Sequence, residues 1–99
     1  MPEMHFRIRW PDGSAEACYS PSLVIKDFFN CGESYPLADF VERSRKALNL
    51  ASERVKAKYG WPCARAMAQL TRIEANAAAF AALNGARVTI DAFEDEQPS

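Results

Sequence analysis

Apolar and polar side chains alternate strictly from Met4 to Trp10, which is the pattern of a β-strand with one buried face. Pro11-Asp12-Gly13 then supplies a turn, and a two-residue loop at Asp12-Gly13 predicts a β-hairpin over the first twenty residues. One face of this hairpin is apolar and the other is polar. The predicted opposed pairs are Trp10 with Ala15, Ile8 with Ala17, Phe6 with Tyr19, Arg9 with Glu16, Arg7 with Cys18, and His5 with Ser20.

A short helix is predicted directly after the hairpin. Ser20 is a favoured N-cap residue and Pro21 is well tolerated at the first helical position, so the helix covers about residues 21–30. Gly32 ends it. A strand is the alternative, because Leu23-Val24-Ile25 is also β-prone and the segment is too short for its periodicity to decide.

Apolar positions at steps of three and four residues predict two long helices. The first runs from about Leu37 to Tyr59, with Gly60 where a C-terminal cap belongs. The second runs from about Ala64 to Leu83, after a break at Trp61-Pro62, and packs antiparallel to the first. The inner faces are Leu37, Val41, Ser44, Leu48, Ala51, Val55 and Tyr59 in the first helix, and Ala66, Met67, Leu70, Ile73, Ala77, Phe80 and Ala81 in the second.

The end of the chain completes the predicted fold. The stretch from Ala75 to Ala82 has few bulky side chains, so we expect a helix or the sheet to approach it closely. Alternation over residues 87–91 predicts a third strand. The fold class is α+β: a two-layer sandwich of a small three-stranded antiparallel sheet, a short helix and a two-helix antiparallel hairpin. Residues 1–93 form a single domain, and 94–99 form an acidic tail that we expect to be disordered.

Length and composition exclude several classes of protein. Ninety-nine residues suffice for one core, and 48% hydrophobic with 25% charged residues is ordinary for a globular domain. A net charge of -1 argues against a dedicated nucleic-acid binder. No signal peptide or membrane-spanning stretch is visible, and three cysteines without a CxxC pair favour free thiols. We therefore expect a cytoplasmic protein.

The near-neutral total conceals a partition of charge along the chain. Residues 43–72 carry eight Lys and Arg residues against Glu53 alone, a net charge of +7, whereas 1–42 and 73–99 carry -4 each. Because residues 43–72 cover most of both long helices, the helical hairpin is the cationic part of the molecule.

The outer face of the first long helix is a candidate partner surface. It comprises Arg43, Lys46, Leu50 and Arg54, and it would dock an acidic partner or a phosphate-bearing ligand. The alternative is a solvated helix face with no partner. Four-residue spacing supports that alternative, because it allows ion pairs within the helix. These pairs are Asp39 with Arg43 and Glu42 with Lys46.

The residues that could carry chemistry form no recognisable catalytic set. His5 is the single histidine, so a metal site with several imidazoles is excluded within one chain. In the predicted register His5 and Cys18 are diagonal neighbours with their Cα atoms about 7–8 Å apart. Proton transfer needs the two reacting groups within about 3 Å of each other. No catalytic, cofactor-binding or metal-binding residue is therefore assigned. The charged sheet face remains a candidate ligand face, made of His5, Arg7, Arg9 and Cys18.

Two residues of the second long helix are given structural roles. Cys63 begins the helix, where backbone N–H groups stabilise a thiolate, but its position on the helical wheel is inward. Glu74 lies at the edge of the apolar stripe, where a basic residue of the first long helix could reach it. We expect a buried small residue at Cys63 and a structural ion pair at Glu74.

Five stretches of the sequence carry a family resemblance. They are Arg9-Trp10-Pro11-Asp12-Gly13, Cys18-Tyr19-Ser20-Pro21-Ser22-Leu23-Val24, Asp39-Phe40-Val41, Arg43-Ser44-Arg45 and Ala51-Ser52-Glu53-Arg54-Val55-Lys56-Ala57-Lys58-Tyr59-Gly60. Together they resemble a family of small bacterial nitrogen starvation response proteins. The genes of that family typically neighbour a nitrilase, a radical-SAM protein, an acetyltransferase and a flavin-dependent oxidoreductase. The resemblance implies membership of a nitrogen-related metabolic cluster and supplies no catalytic or binding residues.

Two functional hypotheses follow. In the first, the chain is a non-catalytic accessory or interaction protein that binds one of the neighbouring nitrogen-metabolism enzymes or its substrate. The reasons are that the chain is small, lacks a catalytic set and has a cationic helical hairpin. In the second, it is a small enzyme or ligand-binding protein, active as a homodimer, that uses the charged sheet face and completes its pocket across a subunit boundary. Neither hypothesis implies a cofactor, a membrane or a nucleic-acid partner.

Overall fold

The computed structural model describes residues 3–95, which form a four-stranded antiparallel sheet covered on one face by helices. Along the chain come β1 (Met4–Arg9), β2 (Ala15–Ser20), a 3-10 helix (Leu23–Asp27), β3 (Ser34–Pro36), α1 (Leu37–Tyr59), α2 (Ala64–Ala78) and β4 (Arg87–Asp95). The strand order is β2-β1-β4-β3. The predicted α+β class is confirmed, but the prediction of three strands is wrong because β3 adds a fourth.

β3 is a short edge strand that pairs with β4. The paired residues are Ser34 with Thr89, Tyr35 with Val88, and Pro36 with Arg87. Three residues that end in proline have no alternating pattern, so periodicity could not predict this strand. Proline is compatible with an edge position, because its missing N–H is not needed on the open side of the strand. The strand exists because β4 provides a partner for it from the far end of the chain.

The hairpin loop contains three residues, Pro11-Asp12-Gly13, where two were predicted. The Trp10 N–H donates to the Ser14 carbonyl at 2.8 Å, and the Gly13 N–H donates to the Trp10 carbonyl at 2.9 Å. Gly13 has a φ of 88°, the left-handed conformation that three-residue hairpin loops require at this position. The longer loop shifts the register of the two strands by one residue.

This shift changes which residues of β2 face the core. The observed pairs are Met4 with Ser20, His5 with Tyr19, Phe6 with Cys18, Arg7 with Ala17, Ile8 with Glu16, and Arg9 with Ala15. A slip of one residue moves every side chain of a strand to its opposite face. Cys18 and Glu16 therefore lie on the inner face, and their predicted place on the charged face is wrong. None of the predicted opposed pairs forms.

The apolar face of β1 lies at the centre of the core, as its alternation predicts. Phe6 is fully buried, and its ring centroid lies 6.1 Å from that of Phe29 in a stacked arrangement. Phe40 of α1 packs 5.4 Å from Phe29 on the other side. The remaining core residues are Met4, Ile8, Trp10, Cys18, Ile25, Tyr35, Ala47, Leu48, Ala66, Leu70, Ile73, Ala77, Val88 and Ile90.

α1 has the predicted bounds. Gly60 follows it with a φ of 91°, and its N–H donates to the Lys56 carbonyl at 2.8 Å, which confirms the predicted C-terminal cap. The buried residues of α1 are Phe40, Ser44, Ala47, Leu48, Ala51 and Ser52. The prediction of the inner face is thus correct for Ser44, Leu48 and Ala51. It omitted the buried Phe40 and included Tyr59, which is exposed.

α2 ends at Ala78, before the predicted end at Leu83, and the chain continues through turns. Its buried residues are Ala66, Leu70, Ile73 and Ala77, all on the predicted inner face. Two contacts confirm the antiparallel packing of the long helices, because they join early positions of one to late positions of the other. They are Ser52 with Cys63 and Arg45 with Glu74, the second being the predicted ion pair of Glu74.

The 3-10 helix begins two residues later than the predicted short helix. Its N-cap is Ser22, whose hydroxyl accepts a 3.3 Å hydrogen bond from the Val24 N–H, so the prediction of Ser20 as N-cap is wrong. The Ser20 hydroxyl donates instead to the Ser22 carbonyl at 2.7 Å. The turn from β2 into this helix is therefore fixed by two serine side chains.

β4 is longer than the predicted third strand. It includes Glu94 and Asp95, which the sequence placed in the acidic tail, because pairing with β1 continues until Met4 lies opposite Asp95. A bulge between Arg7 and Ile8 on β1 accommodates one extra residue of β4. The other residues of the predicted tail, 96–99, lie outside the described residues.

Candidate functional site

Four exposed side chains of α1 recur at intervals of four residues. They are Lys46, Leu50, Arg54 and Lys58, which we call the basic stripe. Residues four apart lie on nearly the same side of a helix, because one turn contains 3.6 residues. Leu50 is 41% exposed although it is apolar. The stripe contains three of the four residues of the predicted partner surface.

Arg43, the fourth residue of that predicted surface, is engaged in contacts within the chain. Its Nε donates to Asp39 Oδ2 at 2.9 Å, and its Nη1 donates to the Phe28 carbonyl at 2.7 Å. Its guanidinium carbon lies 4.8 Å from the centre of the Tyr35 ring. These contacts hold α1 against β3 and against the segment that follows the 3-10 helix, so Arg43 serves the fold.

The cations of α1 differ in their partners. Lys46 Nζ lies 3.4 Å from Glu42 Oε1, an exposed pair at the predicted four-residue spacing, and such pairs contribute little to stability. Arg54, Lys56 and Lys58 form no ion pair with any carboxylate of residues 3–94. The positive charge at the C-terminal end of α1 therefore faces solvent.

Two large aromatic side chains are exposed where α1 ends and in the turn that follows it. Tyr59 is the last residue of α1 and is 51% exposed, and Trp61, in the turn to α2, is 70% exposed. Lys58 Nζ lies 5.5 Å from the centre of the Tyr59 ring. We call the combined surface the hairpin end; it comprises Arg54, Lys56, Lys58, Tyr59 and Trp61. Exposed Trp, Tyr and Arg residues are enriched among those that dominate binding at protein interfaces.

A small pocket of about 150 Å³ adjoins the hairpin end. The Tyr19 hydroxyl on its wall donates to Glu3 Oε1 at 2.9 Å, and the Arg65 guanidinium carbon lies 3.8 Å from the centre of the Tyr19 ring. Burial, and then the hydrogen bond to Glu3, raise the pKa of Tyr19 above its ordinary value of 10.0. The lining residues are Glu3, Tyr19, Pro21, Val55, Tyr59 and Cys63.

The predicted ligand face is only partly assembled. His5, Arg7 and Arg9 lie together on the outer face of β1, but Cys18 is fully buried on the inner face. Both arginines are paired with carboxylates of β4. These pairs are Arg7 with Glu94, and Arg9 with Asp91, where Arg9 Nη2 lies 3.2 Å from Asp91 Oδ2. The positive charge of this face is therefore largely neutralised by its own sheet.

The cysteines lie in three different environments. Burial, followed by the charge of Glu16, raises the pKa of the Cys18 thiol, so this group is inert as a nucleophile or metal ligand at neutral pH. Cys63 was predicted to be buried and is only half-buried at the start of α2, where its N–H donates to Ser52 Oγ at 3.1 Å. Cys31 is exposed.

Glu16 is the centre of a polar cluster that the sequence did not reveal. Its Oε1 accepts hydrogen bonds from Trp10 Nε1 at 2.9 Å and from Asn76 Nδ2 at 3.0 Å. Arg72 Nε lies 3.0 Å from the second oxygen as an ion pair. The cluster joins the β-hairpin of β1 and β2 to α2, and it lies beside a polar pocket of about 280 Å³. No sequence signal identifies this cluster, because Glu16 faces inward only with a three-residue loop and Pro11-Asp12-Gly13 is compatible with two or three residues.

Comparison with known protein families identifies the chain's relatives. Residues 5–93 match the family model described as nitrogen starvation-induced protein NitG. The chain belongs to the NitG family. The predicted resemblance to nitrogen starvation response proteins is therefore confirmed. No curated protein and no solved structure matches the chain.

The match to the NitG family spans the fold from β1 to β4 and includes the hairpin end. Within residues 3–95 of this NitG-family chain, no group of three or more His, Cys, Asp or Glu side chains could hold a metal ion. In the same part of the chain, no helix combines the length and the apolar character that crossing a bilayer requires.

Proposed function

We propose that this NitG-family chain is a non-catalytic interaction protein of the nitrogen starvation response, and that its hairpin end docks on an acidic surface of a partner protein. The observation that carries the proposal is that the last two turns of α1 expose the cations Arg54, Lys56 and Lys58, and that the turn directly after the helix exposes Trp61. Because no described carboxylate pairs with them, a partner can use their charge without breaking an ion pair.

Docking at the hairpin end would combine two favourable contributions. Burial of Trp61 and Tyr59 against a partner removes apolar surface from water, at about 25 cal/mol per Å². The surrounding cations attract an acidic partner over longer distances and accelerate its association. The combination fits a partner that presents carboxylates around an apolar depression.

The charged sheet face gives weaker support to the second hypothesis, a dimeric small enzyme or ligand-binding protein. Arg7 and Arg9 are paired with carboxylates of β4, so an anionic ligand would have to displace those carboxylates. Cys18 lies buried on the other face of the sheet and cannot contribute a nucleophile. Docking at the hairpin end requires neither the displacement of a paired carboxylate nor the exposure of a buried residue.

Family membership supports a partner from nitrogen metabolism. The family is described as nitrogen starvation-induced, and the resemblance noted from the sequence implies genes that neighbour a nitrilase. We therefore propose that the partner is an enzyme encoded near this chain, with the nitrilase as first candidate, and that the complex forms in the cytoplasm. Docking of two folded proteins at this surface involves no cofactor.

Co-purification with each neighbouring enzyme tests the proposal. We expect one of them, tested at low ionic strength, to form a complex that weakens as salt screens the cations. Arg54→Glu should weaken this complex strongly. Arg87→Glu is the control for net charge, since Arg87 is also exposed and follows Ala86, whose carbonyl accepts from Leu37 at the opposite end of α1. Arg87 donates two hydrogen bonds to Ser34 of β3, so circular dichroism verifies that this variant is folded. Absence of a complex with every neighbour at every ionic strength would overturn the proposal.

A further inference from the structure

β2 forms one edge of the four-stranded sheet, so one side of its backbone has no partner strand. The Tyr19 N–H points to this open side, since it donates to Gln69 Oε1 of α2 at 2.9 Å. Backbone groups at every second residue of a strand point in the same direction, so the N–H and carbonyl groups of Ala15 and Ala17 also point outward. Both alanines are exposed, and no group within residues 3–94 bonds to these outward N–H and carbonyl groups.

The other edge of the sheet, β3, is protected against pairing with a further strand. Its outward positions are Ser34 and Pro36, because Leu37, of the opposite parity, donates its N–H inward to the Ala86 carbonyl. Proline has no N–H to offer, and Arg87 Nη2 donates to the Ser34 carbonyl at 2.9 Å. Proline and charged side chains are common means of blocking a sheet edge. β2 contains no proline, lysine or arginine, and its open side is available for a further strand.

A polar pocket of about 280 Å³ adjoins the open edge of β2. Ala15 of the edge lines it, together with Asp12 of the hairpin loop and Arg72 of α2. The sequence predicted close packing along residues 75–82, but Ala79 of that stretch is exposed and also lines the pocket. The pocket thus opens on the face of the sheet that α2 covers. Alternate side chains of an added strand point to that face, so one of them can enter the pocket.

The charges of the pocket favour a basic side chain. Two carboxylates line it, those of Asp12 and Glu16, against the single cation Arg72. Arg72 pairs with Glu16, whereas Asp12 forms no ion pair within residues 3–94. Hydrogen bonds from the Ser14 hydroxyl and N–H to Asp12 Oδ1 hold the pKa of this carboxyl below its ordinary value. A lysine or arginine of a partner can therefore pair with Asp12 without breaking an existing ion pair.

We propose that the open edge of β2 binds an extended segment of a partner protein as a fifth strand, and that a lysine or arginine of this segment enters the polar pocket and pairs with Asp12. The outward backbone groups of Ala15 and Ala17 hold the segment by main-chain hydrogen bonds. The pocket selects its side chain, which is the usual division of roles when a sheet edge binds a peptide. A second copy of β2 lacks the required basic residue and would bring its own Glu16 towards the pocket.

This binding edge is independent of the proposed function. Glu16, next to Ala15 on β2, accepts a hydrogen bond from Asn76 in the last turn of α2. Trp61 of the hairpin end instead precedes the first turn of α2. A helix of 15 residues is about 22 Å long, so the two surfaces lie at opposite ends of α2. The chain can therefore bind an extended segment and dock on an acidic surface at the same time.

Selection of peptides from a displayed random library tests the edge, with Ala17→Pro as the main variant. Ala17→Pro removes the outward N–H and places a ring where the added strand would lie, but it removes no bond to β1. Ala17→Val is the matched control, because it keeps the N–H. We expect selected peptides to bind the unmodified chain and Ala17→Val, and to lose at least about tenfold in affinity for Ala17→Pro. Circular dichroism verifies that each variant is folded.

Two further measurements test the pocket and the position of the peptide. The selected peptides should be enriched in lysine or arginine, and Asp12→Asn should weaken their binding by about fivefold, because it removes the charge and keeps the acceptor for Ser14. Amide hydrogen exchange at Ala17 should be fast in the free chain and slower by about tenfold or more in the complex, since the bound peptide accepts from this N–H.

Three results would overturn the proposal. They are a selection that yields no peptide sensitive to Ala17→Pro, peptides that bind Asp12→Asn as tightly as the unmodified chain, and a dimer of the unmodified chain that Ala17→Pro dissociates, which would show a second copy on the edge. The proposed function is tested separately, because Ala17→Pro retains the hairpin end and should still co-purify with the partner enzyme. Arg54→Glu should conversely leave peptide binding unchanged.

Discussion

The indole Nε1 of Trp10 donates a 2.9 Å hydrogen bond to Oε1 of Glu16, which joins the two strands of the hairpin on the face that packs against α2. The same carboxylate oxygen accepts from Asn76 of α2, and Arg72 pairs with the other oxygen. One largely buried carboxylate thus accepts two hydrogen bonds, one from the hairpin and one from α2, and forms an ion pair with a second residue of α2. This carboxylate attaches the hairpin to α2 together with the hydrogen bond from the Tyr19 N–H to Gln69 Oε1.

Replacement of Glu16 by alanine is expected to destabilise the fold strongly. It leaves the donors of Trp10 and Asn76 without their acceptor and Arg72 without its ion-pair partner, at a cost of about 2–3 kcal/mol. Urea denaturation measures the loss. Glu42→Ala is the control, because its exposed pair with Lys46 should change stability by less than about 0.5 kcal/mol. Equal losses in the two variants would contradict the role of Glu16.

The three cysteines should differ in their reactivity toward an alkylating agent. Cys31 is exposed and should react first, whereas Cys63 is half-buried and should react more slowly. Cys18 is buried and its pKa is raised, so it should react only after denaturation. Mass spectrometry of peptides from the native protein gives the order. Rapid labelling of native Cys18 would place it on the outer sheet face, as the two-residue loop predicted.

Stability should fall at high pH in a way that depends on Tyr19. Its pKa is raised above the ordinary value of 10.0 in the folded state, chiefly by burial. Folding therefore favours the neutral hydroxyl. The resulting stabilisation of the folded state is fully present below pH 10.0, the ordinary pKa of tyrosine, and is lost progressively as the pH rises above it. Urea denaturation on both sides of that pH should show a steeper decline for the unmodified chain than for Tyr19→Phe. An identical decline would show that Tyr19 titrates normally.

Trp61→Ala should separate binding from stability. Because Trp61 is 70% exposed, its loss should change the free energy of unfolding by less than about 0.5 kcal/mol. As a residue of the docking surface it should nevertheless weaken the partner complex by about tenfold or more, measured by calorimetry. Leu83→Ala, which removes another exposed apolar side chain outside the hairpin end, should leave the affinity unchanged. The prediction fails if both variants bind equally well.

Local patterns in the sequence predicted those parts of the fold that depend on neighbouring residues. Alternation placed Met4, Phe6 and Ile8 on the buried face of β1, and Gly60 marked the end of α1. The loop length was not predictable in this way, because Pro11-Asp12-Gly13 is compatible with loops of two or three residues. β3 could not be predicted either, since its pairing partner lies more than fifty residues away in sequence.

The candidate site was predictable to a similar extent. The helical periodicity placed Lys46, Leu50 and Arg54 together on the outer face of α1. The engagement of Arg43 was not predictable, because its partner carbonyl on Phe28 is brought to it by the tertiary fold. The exposure of Trp61 was likewise beyond sequence patterns, since a tryptophan in a turn is exposed or buried according to what packs around it.

The association rate of the chain with its purified partner enzyme tests the docking surface most directly. At low ionic strength, Arg54→Glu should slow association by about tenfold, while Arg87→Glu, with the same change of net charge at the other end of α1, should change it by less than about twofold. Added salt should remove most of the difference. Equal slowing by the two variants would show that net charge alone governs binding and would contradict docking at the hairpin end.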